Sequence, residues 1–167
     1  MKIMIFIEGT TFYTKPFLFL YSKHGYKPIG NAVELVNTWY EKGYEIYLCS
    51  YVHKTRFNFI KKVIDFYNIK YTEILCRCKG EKYSEIVERL KPDILIEDDC
   101  KSIGGLKECC ITDVKEEIKA DIQSIIVPEF SGIDSIRIDW QISVCRADVL
   151  VKKIEIFKIQ NIIIHIK

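Results

Sequence analysis

Lys2-Ile3-Met4-Ile5-Phe6-Ile7-Glu8-Gly9-Thr10 opens the chain with an unbroken apolar run that ends in an acid, a glycine and a hydroxyl. A short β-branched run of this kind, closed by a turn residue, reads as a fully buried strand with Glu8 at its carboxyl end. Outward from it, similar runs at residues 45–49, 71–75, 93–96 and 124–127 read as four more strands. Between them lie stretches of helical period at residues 31–42, 54–67, 82–90 and 113–120. Gly43 stands where a helix C-terminal cap belongs, and Pro92 stops the third helix. Strand–helix alternation predicts an α/β fold: a three-layer α/β/α, Rossmann-like arrangement around a mainly parallel five-stranded sheet.

Length and charge bound the rest. The 167 residues suit one core domain, predicted over residues 1–135, with residues 136–167 as an extension packed on the core or at a dimer contact. Twenty-five basic residues against 23 acidic leave a net charge of +2, which gives no electrostatic case for a general nucleic-acid binder. No run reaches the roughly 18 apolar residues of a membrane helix. No leader pattern opens the chain and its seven cysteines are an odd number, so the reading is a cytoplasmic protein with reduced thiols. Cys76, Cys78, Cys109 and Cys110 lack the two-residue gap of a zinc knuckle.

In a parallel sheet with right-handed crossovers, all carboxyl ends share one edge, and ligands bind beyond it. That edge gathers Glu8 from the first strand, Ser50 from the second, and Glu97, Asp98 and Asp99 from the fourth. Adjacent acids repel unless a cation joins them, and carboxylates with water suit magnesium. Glu8, Glu97, Asp98 and Asp99 are therefore the expected Mg2+ ligands. Gly9 permits a sharp turn that frees amides for an anion, Thr10 adds a hydroxyl, and Ser50 can donate to a phosphoryl oxygen. Lys79 and Lys82 precede the third helix, where either ammonium can reach the crevice.

Taken together, this text resembles the haloacid dehalogenase-like superfamily of phosphohydrolases. Members carry Asp-x-Asp-Gly-Thr after the first strand, Ser or Thr after the second, Lys before the fourth and paired acids after it. The matching residues are Phe6-Ile7-Glu8-Gly9-Thr10, Leu48-Cys49-Ser50, Lys79 or Lys82, and Ile96-Glu97-Asp98-Asp99, a resemblance that spans residues 2–130. Glu97-Asp98-Asp99-Cys100, with the segments at residues 28–34 and 128–134, is similar to a prokaryotic subgroup that also reads Glu-Gly-Thr near its start.

The resemblance implies that the first motif aspartate is the nucleophile and the second the acid and base. Phe6 fills the first position here and Glu8 the second, so the aspartyl-phosphate route is closed. Three readings follow. In the first, a magnesium-dependent phosphohydrolase or phosphotransferase uses Glu8 to attack or to activate water, with Ser50 and Lys82 assisting and Gly9, Thr10, Ser50, Lys79 and Lys82 holding phosphate. In the second, a catalytically impaired relative binds a phosphorylated ligand or a partner protein. In the third, the acids serve a metal-dependent nuclease. With about 20 residues between first motif and first helix, the cap is minimal: Phe12, Tyr13, Phe17, Phe19 and Tyr21 either pack over the core, the favoured reading, or form a small flap. The crevice it leaves open suits a macromolecule or closure by a second subunit.

Overall fold

The computed structural model describes residues 1–15 and 22–138. By internal contacts the chain divides into two units, Met1–Ser135 and Ile136–Lys167, and the account below is of the first. Phe17, Phe19 and Tyr21, and the extension beyond residue 138, lie outside the described residues.

Among the described residues, five strands form the main sheet: β1 (Lys2–Phe6), β4 (Glu45–Ser50), β5 (Glu73–Cys76), β6 (Ile94–Asp98) and β7 (Gln123–Val127). Their order is β5-β4-β1-β6-β7, and every pairing is parallel. The opening run is thus the central strand, which explains why Ile3, Met4 and Ile5 are completely buried. Phe12–Thr14 (β2) and Tyr26–Pro28 (β3) make a separate antiparallel pair between the first motif and the first helix, where no strand is predicted. Phe12 is buried against the rings of Tyr26 and Tyr67, the core packing favoured for this stretch, while Tyr13 stays exposed.

Helices flank both faces. Met4, Phe6, Tyr47, Cys49 and Leu95 pack beneath α3 (Tyr83–Leu90) and the turns at residues 109–114. The alternate residues Ile3, Ile5, Ile46, Leu48, Ile94 and Ile96 are buried on the other face. There α1 (Ala32–Glu41) contributes buried Val36 and Trp39, and α2 (Phe57–Phe66) contributes Ile60, Val63 and Ile64. The predicted second helix begins three residues later than its periodicity suggests, because Lys54–Arg56 is a 3-10 turn capped by the His53 ring. The last predicted helix shrinks to α4 (Glu116–Lys119), with residues 110–113 as another 3-10 turn.

Two segments distant in sequence meet over the carboxyl edge. The Phe130 N–H donates to the Gly9 carbonyl at 2.8 Å. Asp134 accepts from the Asn31 N–H at 2.9 Å, at the start of α1. The segment at residues 128–134 is therefore a strap from the end of β7 back to the first motif.

Candidate functional site

The carboxyl ends of the strands border a crevice of about 730 Å³ lined by Phe6, Glu8, Gly9, Arg77, Tyr83 and Asp98, among others. Glu8 stands just past β1, and its carboxylate is held by three donors. Oε1 accepts from the Ser50 hydroxyl at 2.7 Å and the Tyr26 hydroxyl at 3.0 Å, and Oε2 from the Tyr51 N–H at 2.9 Å. Burial pushes its pKa up, opposed by the Tyr51 amide, Ser50 and Tyr26. Tyr26 was not foreseen; it arrives from β3, whose existence was not legible.

Thr10 donates to Asp98 Oδ2 at 3.2 Å, and the Cys100 N–H donates to Asp98 Oδ1 at 2.9 Å. Burial raises the Asp98 pKa against those two bonds. Gly9, at φ +81°, makes this approach possible: a Cβ there would lie 2.5 Å from Asp98 Oδ2. Gly9→Ala should therefore cost about 2 kcal/mol, from left-handed strain plus displacement of Asp98, and lower the melting temperature by several degrees. An unchanged melt would mean that the Asp98 carboxylate is not fixed as described.

The four-acid cluster expected from the sequence is not assembled. Successive strand residues face opposite ways, and β6 extends through Asp98, so Glu97 and Asp98 diverge. Glu97 accepts from the Cys110 N–H at 2.6 Å and the Ile111 N–H at 3.1 Å, closing the 3-10 turn. Burial raises its pKa to about 7. Asp99 accepts at Oδ1 from the N–H groups of Glu129 (3.0 Å) and Lys101 (3.3 Å), and so anchors the strap. Among the described residues, no three acid, histidine or cysteine side chains stand together as a metal site.

The expected phosphate donors are also occupied. The Gly9 N–H donates to the Phe12 carbonyl at 3.0 Å, Thr10 serves Asp98, and fully buried Ser50 serves Glu8. The Lys82 ammonium is exposed and pairs with Asp113 at 3.2 Å, and Lys79 is exposed in the preceding loop. Lys82 lines the crevice with Lys107, and a third cation, Arg77, stands deeper in it beside Phe6 and Tyr83. Arg77 follows β5 directly, one residue beyond Cys76, which is paired in register with Ser50. Its guanidinium lies 4.3 Å over the Tyr83 ring, and Phe6 meets the same ring edge-on at 5.1 Å. Arg77 Nε and the Tyr83 hydroxyl are buried without a hydrogen-bond partner among the described residues. The available signal was that Arg77 is the first basic residue past that strand.

No family model and no curated protein sequence matches the chain. Solved structures do. A chain of the Pnkp1/Rnl/Hen1 RNA repair complex superposes with a TM-score of 0.55 at 14% identity, over 77% of this chain and 42% of that one. The class C acid phosphatase from Bacillus anthracis with tungstate bound gives 0.52 at 13% identity, over 88% of this chain and 78% of that one. The fold is haloacid dehalogenase-like. A D,D-heptose 1.7-bisphosphate phosphatase from B. bronchiseptica, complexed with magnesium and phosphate, gives 0.49 at 10% identity, over 78% and 93%. The chain spans less than half the length of the RNA-repair chain it matches. Among the described residues, no helix is long and apolar enough to cross a membrane.

Proposed function

We propose that the crevice binds a phosphomonoester on Arg77 and that the chain is a haloacid dehalogenase-like phosphoester-binding protein, with no aspartyl-phosphate step. The observation that carries this reading is the Phe6–Tyr83–Arg77 stack: a phenyl ring where the nucleophile would stand, and a guanidinium with an unpartnered N–H beside it. A buried, unpaired donor costs about 1–3 kcal/mol, and the arginine fork matches phosphate oxygens in geometry and charge. Bound phosphate would relieve that donor.

Magnesium fits this crevice in a limited way. The ion is commonly held by one or two carboxylates, water and a ligand phosphate rather than by an all-protein cage. Asp98 is the residue that would hold it, since among the described residues its Oδ2 has only the long 3.2 Å bond from Thr10, and a cation would offset the cost of burying its charge. The ion would supply neutralisation of phosphate charge. Glu97 and Asp99 are committed to backbone amides and have no part in this.

A phosphohydrolase or phosphotransferase is the second reading, and Glu8 favours it. It stands two residues after Phe6, in the acid and base position that the resemblance implies, and burial favours a proton on its carboxyl. In that reading Glu8 would exchange a proton with water or with the leaving oxygen.

Melting curves with inorganic phosphate and turnover of an aryl phosphate distinguish the two. Phosphate should raise the melting temperature, magnesium should enlarge the shift, and Asp98→Asn should remove the enlargement without producing turnover. No shift with phosphate at any magnesium concentration overturns the binding reading. Magnesium-dependent turnover that Glu8→Gln abolishes establishes the hydrolase.

A further inference from the structure

Among the described residues, four non-glycine residues have positive φ: Asn68, Lys91, Cys100 and Phe130. Asn68 and Lys91 follow the ends of α2 and α3, where a left-handed residue is an ordinary way to terminate a helix. Cys100 and Phe130 end no helix, and both line the crevice. For a residue as bulky as phenylalanine, φ +62° is a strained conformation, and such strain persists only where its surroundings impose it.

The surroundings of Phe130 do impose it. Asp99 accepts from the Glu129 N–H, and the Glu129 carboxylate in turn accepts from the Ser102 N–H at 2.8 Å and its hydroxyl at 2.6 Å. The Phe130 N–H is fixed to the Gly9 carbonyl. This network does not bury the ring. Phe130 is 41% exposed and meets the Tyr13 ring, 40% exposed, edge-on at 5.2 Å. The Ser131 N–H also closes the Pro128–Ser131 turn on the Pro128 carbonyl at 2.9 Å, which sets Phe130 at the turn's left-handed position, and the ring it carries stands half in water at the crevice.

We infer that Phe130 is a specificity-determining residue: with Tyr13 beside it, it receives a planar aromatic group on the alcohol side of a phosphomonoester whose phosphate lies on Arg77. The inference rests on the phosphate-binding reading above and narrows it to aryl-type monoesters. The lining carries Glu8, Glu97, Asp98, Glu108, Asp113 and Glu129 against Arg77, Lys82 and Lys107, a balance that disfavours a polyanion.

The test compares inorganic phosphate, glycerol phosphate and phenyl phosphate by calorimetric titration of the full chain and of Phe130→Gly. The wild-type chain should bind phenyl phosphate about tenfold more tightly than glycerol phosphate, the gain expected of one aromatic contact. In Phe130→Gly that ratio should fall toward one. Glycine also removes the left-handed strain, so the variant should melt no lower than wild type. A structural role for the ring predicts the reverse: a lower melt and an unchanged ratio. If inorganic phosphate binds but phenyl and glycerol phosphate bind equally, this inference is wrong and the phosphate site stands. If none of the three binds, the phosphate site itself is wrong.

Discussion

Glu97→Ala should lower folding stability by about 3 kcal/mol at pH 5.5 and by clearly less at pH 8. The large term is local. Glu97 is 3% exposed, and its two oxygens satisfy the Cys110 and Ile111 N–H groups at the start of a buried 3-10 turn. Alanine leaves both donors unpaired beneath α3, each at about 1–3 kcal/mol, and adds a small cavity. Cys109, Cys110, Ile111 and Val114 belong to the cluster with Phe6 and Leu95, so disturbance of the turn reaches the core.

The pH dependence has a definite sign. Burial raises the Glu97 pKa to about 7, above its unfolded value of 4.5. Below pH 4.5 the group is protonated in both states and contributes no penalty. Between pH 4.5 and 7 the folded chain keeps a proton that the unfolded chain has released, so stability falls as pH rises, by roughly 3 kcal/mol in all. The variant lacks that slope. Denaturant titrations at pH 5.5 and 8 should therefore give a wild-type–variant gap that narrows with pH, and parallel behaviour would show that Glu97 does not titrate in this window.

The central strand was legible because an all-apolar β-branched run has few alternatives, and the strand-end rule then located Glu8, Ser50 and Asp98 at one edge. Side-chain direction was not legible in the same way. Ending the fourth strand at Ile96 made three consecutive acids look like one cluster, whereas β6 runs to Asp98 and its pleat sends Glu97 to the opposite face. Asp99 was read as a ligand because its partner, the Glu129 amide, lies 30 residues away in a strap with no periodic signal. The roles of Ser50 and Tyr26 on Glu8 depend on tertiary contacts between β1, β3 and β4, which no local pattern encodes.

Arg77 shows that limit most sharply, and it carries the largest expected functional effect. Arg77→Met should weaken phosphate binding by about 10–100-fold, the loss expected when a charged, geometrically matched donor is removed. Methionine keeps an apolar stem over the Tyr83 ring and removes the buried, unpartnered Nε, so the folded chain should be at least as stable as wild type. Lys82→Met and Lys79→Met should each change binding by less than about twofold. The Lys82 ammonium is exposed and already paired with Asp113, and Lys79 is exposed in its loop. Arg77→Lys should recover part of the affinity as a point charge without the fork. Calorimetric titration with inorganic phosphate across these variants decides the matter, because a site built on Lys82, as the resemblance implies, predicts the opposite ranking: a large loss in Lys82→Met and near-normal binding in Arg77→Met.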